Sequence, residues 1–563
     1  MKKYLLLFVI LQSCLHLQAQ IPAFQWAKRV GSLGHDYPSS VTTDNAGNVY
    51  VTGNFQGTVD FDPNSGVYNL TAPGIPADIF VMKLNANGNL IWARNMGGTG
   101  NDNGNFIAVD ADQNVYITGD FQDIADFDPD SANTYNLTSA NGSHDAFICK
   151  LNAQGNLSWA IALGNTSDDV GYGIDLDKAC NVYTTGFFEG TVDFDQGPNT
   201  YPLTSGIFAD AFILKMDSSG NFIWAKGVGG LALERGRSIS LKEEGFVNVM
   251  GVFQNDGDFD PGPNIVTLTS FGVYDIFMLK LDTAGNYVWA KQIGGPDYDE
   301  ANEMIADSLG NTYVTGTIQG TTDFDPGAAS LNLSSYLSTQ DFFITKLNSS
   351  GDLAWVKLIG GSGSDHGYGI ALDRYGYVYS TGYSYDTTDF DPGPNVYNLY
   401  PRSSCSYINI LDSTGNFVWS GMTDGLYSDV GYDIALDPNS NIFTTGTFMD
   451  TSDFDPGAGV FNMVASGNTH FDIFIQKMKS IGTEITENKR LDGITIFPNP
   501  GTGNVTLEIA SSIPENYLIT DLSGQCVLKG VTTGRSSQLN LENLKAGIYI
   551  LQIRNQTCKI VKH

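Results

Sequence analysis

The sequence is poor in positive charge, in cysteine and in long apolar runs. Lys and Arg supply 29 of its 563 residues and Asp and Glu supply 61, so the net charge is −32. Nucleic-acid binding is excluded, because phosphate recognition needs clustered basic residues. Six Cys are too few for a disulfide-dense scaffold in a chain of this length. After the N-terminus no stretch approaches 18 apolar residues, which predicts no transmembrane segment.

The N-terminus has the pattern of an export signal. Lys2 and Lys3 precede an apolar run from Tyr4 to Leu11, and Ala19 offers a small-residue cleavage site. We therefore assign residues 1–19 to a signal peptide and expect an exported chain. Cleavage leaves an odd number of Cys, so a free thiol or one bridge, such as Cys526 with Cys558, is expected.

The chain then repeats seven times. Its Trp residues recur at spacings of 66, 67, 65, 65, 66 and 64. An Asp-Phe-Asp motif recurs with the same six spacings, and two unrelated markers in step establish the repeat. The Trp residues are Trp26, Trp92, Trp159, Trp224, Trp289, Trp355 and Trp419.

Each repeat contains four short strand patterns, which we label a to d. In the second repeat, strand a includes Ile107–Asp110 and strand b includes Val115–Gly119. Strand d carries the Trp. Gly, Asn and Asp separate a from b and c from d, which predicts tight hairpins. Four-stranded units of this kind stack radially as propeller blades. A d-type strand at Phe24–Ala27 precedes the first complete repeat, and the last repeat lacks a d strand. The sequence therefore predicts an all-β, seven-bladed β-propeller over residues 20–480, closed by its N-terminal strand.

The repeat resembles a known bacterial family. The pattern Asp-x-Gly-x-x-Ile-Ala-x-Asp-x-x-Gly-Asn-x-Tyr-x-Thr-Gly is nearly intact at 102–119 and at 365–382. It is similar to the SBBP β-propeller repeat, which is itself similar to NHL repeats. The resemblance covers about residues 21 to 480 and implies a scaffold without a particular activity.

A separate module follows a polar linker at residues 481–492. Short strand patterns at roughly ten-residue spacing over 493–563 predict a small β-sandwich. The module also resembles the C-terminal sorting domain of the type IX (Por) secretion system. The resemblance implies that the secretion machinery is a partner, and that the protein is released or stays on the outer-membrane surface. The residues that carry it are Pro498, Asn499, Pro500, Gly547, Tyr549, Lys559 and Lys562.

The connections from strand d to the next strand a predict one functional face. Each carries an acid at the start of strand a, the innermost strand of a blade, so we expect seven acids around the mouth of the central channel and a ligand beside them. The alternative is that these acids make hydrogen bonds between blades. The residues are Asp36, Asp102, Asp169, Glu234, Asp299, Asp365 and Asp429.

The Asp-Phe-Asp motif admits three interpretations. Carboxylates two residues apart on one strand face could close around calcium, although calcium needs six to eight oxygens. Both could instead accept backbone N–H groups at a turn while Phe packs beneath, or they could contact a ligand directly. The pairs are Asp60 and Asp62, Asp126 and Asp128, Asp193 and Asp195, Asp258 and Asp260, Asp323 and Asp325, Asp389 and Asp391, and Asp453 and Asp455.

Signatures of catalysis are missing. No His-Glu-x-x-His, Gly-x-Ser-x-Gly, Walker or Cys-x-x-Cys motif occurs. We therefore predict a secreted or surface-displayed, non-catalytic propeller that recognises a glycan or a protein. The alternatives are an extracellular polysaccharide hydrolase or lyase, whose carboxylate pair would have to break the repeat, and a purely structural surface component.

Overall fold

The computed structural model describes two separate compact units. The first is residues 22–480, and the second contains the C-terminal strands. The described residues are 21–480 apart from 74–75, 131 and 468, followed by 494–497, 504–509, 514–520, 526–542, 544–545, 547–553 and 556–562. The predicted signal peptide and linker, and Pro498, Asn499 and Pro500, lie outside them. The described residues form strands and one short 3-10 helix, Tyr336–Ser338.

Seven four-stranded antiparallel sheets make up the first unit, and we number them 1 to 7. Within each sheet the strands follow the predicted order a, b, c, d from the innermost strand outward. Sheet 1 contains Tyr37–Thr43, Val49–Phe55, Asp78–Leu84 and Leu90–Gly98. Sheet 2 contains Asn103–Val109, Val115–Gln122, His144–Leu151 and Leu157–Leu163. Sheet 3 contains Val170–Leu176, Val182–Phe188, Asp210–Met216 and Phe222–Gly230. Sheet 4 contains Glu234–Ser240, Phe246–Phe253, Asp275–Asp282 and Tyr287–Ile293. Sheet 5 contains Asp299–Ala306, Thr312–Gln319, Gln340–Leu347 and Leu353–Gly361. Sheet 6 contains Asp365–Leu372, Val378–Ser384, Cys405–Leu411 and Phe417–Met422.

Sheet 7 joins the two ends of this unit. It contains Val430–Leu436, Ile442–Phe448 and Asp472–Lys479, with Ala23–Val30 as its outermost strand. Ala23 pairs with Lys479 and Val30 pairs with Ile473. Each innermost strand packs against the innermost strand of the next sheet, and that of sheet 7 packs against that of sheet 1. The innermost strands therefore form a closed circuit.

The Asp-Phe-Asp segments begin small hairpins between strands b and c. In sheet 2 the hairpin strands Ile124–Asp126 and Asn136–Thr138 pair with each other. Ala125 and Asp126 also pair with Gly98 and Gly97 at the end of strand d of sheet 1. The hairpins of sheets 4 and 6 pair in the same way with strand d of sheets 3 and 5, so these three hairpins each attach a sheet to the preceding one. The other hairpin strands are Thr58–Asp60 and Asn69–Thr71, Thr191–Asp193 and Pro202–Thr204, Asp256–Asp258 and Thr267–Thr269, Thr321–Asp323 and Asn332–Ser334, Thr388–Asp389 and Asn398–Leu399, and Thr451–Asp453 and Asn462–Val464, with a short strand Asp424–Gly425 beside the last.

The repeated Trp and Lys residues connect neighbouring sheets. Trp224 Nε1 and Lys215 Nζ of sheet 3 both donate to the carbonyl oxygen of Thr283, in the c–d turn of sheet 4, at 3.1 Å. The Lys215 ammonium also lies 4.8 Å from the Tyr183 ring centroid. Trp159 and Lys150 share the Ser218 carbonyl in the same way. These residues recur because they hold one sheet to the next.

The second unit contains two antiparallel sheets. One holds Ile494–Phe497, Asn504–Ile509 and Ser536–Asn540; the other holds Cys526–Val531, Asn516–Thr520, Gly547–Ile553 and Gln556–Lys562 in that spatial order. Buried residues from both sheets, including Leu507 and Ile519, form one core. Cys526 and Cys558 lie on opposite edge strands. Three strand spacings of about 4.8 Å separate such strands, which is beyond the reach of a disulfide within this sheet.

Candidate functional site

The seven acids at the d–a connections are buried and do not form an exposed rim. Their exposed fraction is 0 or 1% in every sheet. The physical reason is that their carboxylates accept hydrogen bonds from backbone N–H groups. Asp102 accepts from the amides of Gly98, at the end of the preceding sheet, and of Gln122, in its own sheet, at 2.8 and 3.1 Å. Asp36, Asp169, Glu234, Asp299, Asp365 and Asp429 occupy the equivalent positions.

A second acid lies beside the first at six of the seven sheet junctions. A Cβ built on Gly97 would lie 2.6 Å from Asp78 Cγ and 2.8 Å from Asp102 Oδ2, so glycine leaves the room that both carboxyl groups fill. The second acid is the first residue of strand c or its neighbour in the preceding sheet. Cys405 takes its place next to Asp429. The six pairs are Asp472 with Asp36, Asp78 with Asp102, Asp145 with Asp169, Asp210 with Glu234, Asp275 with Asp299, and Asp341 with Asp365.

Burial raises the pKa of these carboxyl groups, because the interior disfavours the charged form. The pKa of Asp78 and that of Asp102 both rise to about 7 through burial, and the Asp78 charge raises that of Asp102 further. The pKa rises to about 6 in Asp36 and Asp365, to about 7 in Asp299 and Asp429, and to about 8 in Asp169 and Glu234. The buried carboxyl groups at the sheet junctions are therefore expected to be protonated at mildly acid pH.

The Asp-Phe-Asp carboxylates are used by backbone donors. Asp60 Oδ1 accepts from the amides of Asp62 and Tyr68 at 3.0 and 2.7 Å, and Asp62 Oδ1 accepts from the amide of Asn64 at 3.0 Å. Phe61 is fully buried against Phe55 and Phe80. The same bonds recur in the other six hairpins. Within the described ranges no group of three or more His, Cys, Asp or Glu side chains is placed to hold a metal.

A pocket lies where the d–a connections enter the innermost strands. Its volume is about 320 Å³, and residues from all seven innermost strands line it. In every sheet the lining residue is the third after the buried acid and sits at a β-bulge between strands a and b. These seven bulge residues are Ser39, Asn105, Tyr172, Arg237, Asn302, Tyr368 and Tyr432. We call this cavity the axial pocket.

Glycine in strand b makes each bulge possible. A Cβ on Gly382 would lie 1.8 Å from the carbonyl oxygen of His366, and one on Gly186 would lie 1.9 Å from that of Val170. The same contact, at 1.9 to 2.1 Å, occurs at Gly53, Gly119, Gly251, Gly316 and Gly446. The glycine of strand b is therefore a structural requirement, while the bulge side chain opposite is free to vary.

The wall of the axial pocket divides into two halves. Tyr368, Tyr432 and Tyr37, from the consecutive sheets 6, 7 and 1, form an aromatic arc in which the first two rings lie 5.7 Å apart. Asn105, Arg237 and Asn302, from sheets 2, 4 and 5, form the opposite polar arc, which also contains Tyr172 of sheet 3. Contacts outside the pocket hold the polar side chains in place.

Fixed contacts orient the polar arc. Arg237 Nη2 lies 2.9 Å from Glu300 Oε1, and its guanidinium lies 4.8 Å from the centroid of the Tyr172 ring. Asn302 Nδ2 donates to the carbonyl of Gly367 at 2.8 Å, and Asn105 Nδ2 donates to that of Gly171 at 3.0 Å. Asn105 Nδ2 also donates to Asp120 Oδ1 in its own sheet at 3.1 Å, so the scaffold orients both amide groups.

Two carboxyl groups lie at the floor of the pocket. Glu303 Oε2 accepts from the Ile370 amide at 2.7 Å, and Asp433 accepts from the Val41 and Ile434 amides at 2.7 and 2.6 Å. Burial raises the pKa of both, and the Asp433 charge raises that of Glu303 further. Together with Phe106 they separate the axial pocket from a cavity of about 370 Å³ further along the channel.

The sequence pattern pointed to the d–a connections, beside which the axial pocket lies, but sequence reasoning missed the bulge residues that line it. The available signal was the position three residues after each acid, which changes from sheet to sheet while its surroundings repeat. His366, which the same connections bring to this region, stacks on Tyr383 with ring centroids 4.6 Å apart, and burial lowers its pKa to about 4.

Among the sorting-signal residues, the structure describes the side chains of two. Tyr549 is buried and donates its hydroxyl hydrogen to the Lys545 carbonyl at 2.8 Å, and Lys562 is buried as well. Gly547 and Lys559 lie in adjacent paired strands. Across the described ranges no helix is long and apolar enough to span a membrane.

These repeated four-stranded sheets define a β-propeller-like repeat protein. The family model for the SBBP β-propeller repeat matches residues 25–54, 288–325 and 354–391, and each match runs from strand d of one sheet into strands a and b of the next. The model for the secretion system C-terminal sorting domain matches residues 495–563. The chain therefore carries SBBP repeats and a type IX sorting domain, which marks it for export.

Two curated proteins are similar over part of the chain. An uncharacterized WD repeat-containing protein, L264, of Acanthamoeba polyphaga mimivirus is 24% identical over 76% of this chain and 36% of its own length. The regulatory protein FlaEY of Caulobacter vibrioides is 30% identical over 24% of this chain and 14% of its own length. The chain thus spans about a third or less of the length of these relatives.

Solved structures show only a weak likeness. PorZ, a surface component of the type IX secretion system of Porphyromonas gingivalis, has 11% identity and a TM-score of 0.15, with 95% of this chain and 100% of that chain covered. Sqt1 from Chaetomium thermophilum has 8% identity and a TM-score of 0.27, with 81% and 98% covered.

Proposed function

We propose that this protein is a secreted or surface-displayed, non-catalytic recognition module whose seven sheets are the blades of a closed propeller. Residues 1–19 would direct export, residues 20–480 would form the propeller, and a linker at 481–492 would lead to a small sandwich at 493–563 that the type IX machinery recognises. The ligand, a glycan or a protein, would bind at the axial pocket.

The observation that carries the proposal is the contrast between repeated and varied positions around the axis. Seven equivalent bulges present seven side chains to one pocket, and only Asn and Tyr occur more than once among them. A scaffold role does not call for such variation, because the neighbouring acids and glycines repeat from sheet to sheet. The volume of the axial pocket, about 320 Å³, falls at the lower end of the range of about 300–1,000 Å³ that is typical of small-ligand sites.

One observation favours the alternative of a polysaccharide hydrolase or lyase. Glu303 and Asp433 are two buried carboxyl groups at the floor of the same pocket. Each is already engaged by backbone N–H groups, which supports a structural role and makes binding without turnover the better proposal.

A glycan array probed with the full chain tests this function, alongside Tyr432→Ala and Tyr400→Ala. Tyr432 lines the pocket, whereas Tyr400 is 70% exposed and does not. We expect binding to a restricted set of glycans, lost in Tyr432→Ala and kept in Tyr400→Ala. New reducing ends or unsaturated products that disappear in Glu303→Gln would support the hydrolase or lyase instead. Binding to no glycan and no protein would favour a structural component.

A further inference from the structure

The axial pocket is ringed by side chains and is not a groove. Side chains from all seven innermost strands surround it, and it lies at the face where the d–a connections enter these strands. Phe106, Glu303 and Asp433 narrow the channel beneath it. A polysaccharide that crossed this face could not place an internal residue in the pocket without a sharp bend. The end of a chain can enter along the axis.

The two arcs match the two surfaces of a sugar ring. Tyr368 and Tyr432 offer an apolar wall that fits the C–H face of a pyranose. Opposite them, the N–H donors of Asn105 and Asn302 are used on the Gly171 and Gly367 carbonyls. No donor in the described part of the chain bonds to either Oδ1 atom, so two fixed acceptors remain for hydroxyl groups.

A donor is also left without a partner. Arg237 Nε is buried and makes no hydrogen bond to any described residue. Buried donors without partners are rare, and each calls for an explanation such as a bound group. A sugar hydroxyl in the pocket would accept from this N–H while its own hydrogen is donated to an asparagine Oδ1.

The charges around the pocket disfavour an anion. Glu300 neutralises the Arg237 guanidinium at 2.9 Å, and the floor carries Glu303 and Asp433. A carboxylate-bearing sugar would approach these two acids without a free cation to compensate. Neutral hydroxyl groups meet no such penalty.

We infer that the axial pocket binds the uncharged terminal sugar of a glycan chain end-on, with the apolar face of the ring on Tyr368 and Tyr432 and its hydroxyl groups on Asn105, Arg237 and Asn302. This inference rests on the proposed function and names the ligand class of its site.

Ligand-observed saturation-transfer NMR on the full chain tests it. The probes are methyl glycosides of glucose, galactose, mannose, rhamnose and N-acetylglucosamine, with methyl glucuronide and methyl galacturonide as charged counterparts. We expect at least one neutral methyl glycoside to bind by itself, with the strongest saturation on the protons of its apolar face. The matched uronide should bind at least about tenfold more weakly.

Variants of residues that line the axial pocket test whether the glycoside binds there. Tyr432→Ala should weaken binding of that glycoside about tenfold through the lost ring contact, and Asn302→Ala should weaken it as well. Tyr400→Ala should leave it unchanged. Melting temperatures of all three variants report whether each is folded, and Asn105→Ala replaces any variant that is not.

The outcomes separate the inference from the proposed function. Equal or tighter binding of uronides overturns the assignment of an uncharged sugar. An array glycan that binds while every methyl glycoside fails, or whose binding survives Tyr432→Ala, overturns end-on binding in this pocket but leaves glycan recognition standing. Failure of every glycan on the array overturns the inference and leaves a protein as the ligand of the proposed function, and failure to bind any protein as well overturns both.

Discussion

Two positions only three residues apart at the start of each innermost strand differ in burial and in how much they vary among the sheets. The residue at the start of the strand is acidic in all seven sheets and is buried, because two sheets depend on its hydrogen bonds. The bulge residue three positions later differs among sheets and lines the axial pocket. Repetition in this chain therefore marks structural necessity, and departure from repetition marks the surface that we propose for a ligand.

The bulge is what separates the two positions. In a regular strand, residues three apart point to opposite faces. The extra residue of a bulge breaks this alternation and redirects a side chain, here toward the axis. Glycine in strand b provides the room, so the scaffold fixes where the side chain points but not which side chain it is.

The largest expected effect comes from replacing a buried acid, and a substitution at the bulge residue three positions later serves as the control. Asp36→Ala should lower the free energy of unfolding by about 2–5 kcal/mol, because the amides of Ser32 and Gln56 would lose their acceptor inside the protein. Ser39→Ala on the same strand should change it by less than about 0.5 kcal/mol. Urea denaturation of both variants measures the difference, and equal losses would contradict the comparison.

A methyl group placed against a bulge should have the next largest effect. Gly382→Ala puts a Cβ 1.8 Å from the His366 carbonyl oxygen, and we expect a loss of about 1–3 kcal/mol from the resulting overpacking. Gly227→Ala is the matched control, since a Cβ there meets its nearest atom at 3.6 Å. Chemical denaturation should show a clear loss only in the first variant; a loss of similar size in both would contradict the claim that the contact at the bulge causes it.

The paired acids predict that the protein is more stable at mildly acid pH. The pKa rises to about 7 in Asp78 and Asp102 and to about 8 in Asp169 and Glu234, above the value of 3.8 or 4.5 for a free carboxyl group. The folded state therefore binds more protons, so this contribution is complete below about pH 4 and is lost as the pH rises through 6 to 8.

Thermal melting between pH 5 and pH 8 measures this loss. Asp78→Asn removes one acid of a pair and should flatten the pH dependence by about 1 kcal/mol per pH unit in that window. Asp62→Asn, in an exposed turn, serves as the control. A melting temperature that rises from pH 5 to pH 8 would contradict the buried pairs.

Metal removal should have the smallest effect. The Asp-Phe-Asp carboxylates already accept backbone N–H bonds, so we expect EDTA and millimolar calcium to give the same melting temperature. A calcium site at 100 times its dissociation constant would add about 2.7 kcal/mol, and seven of them would be obvious in a melting curve. Such a rise in melting temperature would indicate that the Asp-Phe-Asp turns bind calcium.

Local chemistry made much of the molecule predictable. Period-two strands, Asn-Gly turns and the recurring Trp indicated four-stranded units, and the hairpin at Asp60 could be read from turn preferences. Burial of Asp102 could not be read in the same way, since its partner Gly98 belongs to another sheet. The pocket at Tyr432 and Asn302 depends on bulges, which change the strand period by one residue and leave only a weak trace in the sequence.

A crystal structure of the full chain with a glycan selected on the array tests the central claim most directly. We predict the terminal sugar in the axial pocket, with its ring against Tyr432 and a hydroxyl group within hydrogen-bond distance of Asn302 Oδ1. A glycan bound instead at the Asp-Phe-Asp hairpins or on the outer strands, with the axial pocket unchanged, would contradict the claim that the varied bulge residues form the ligand site.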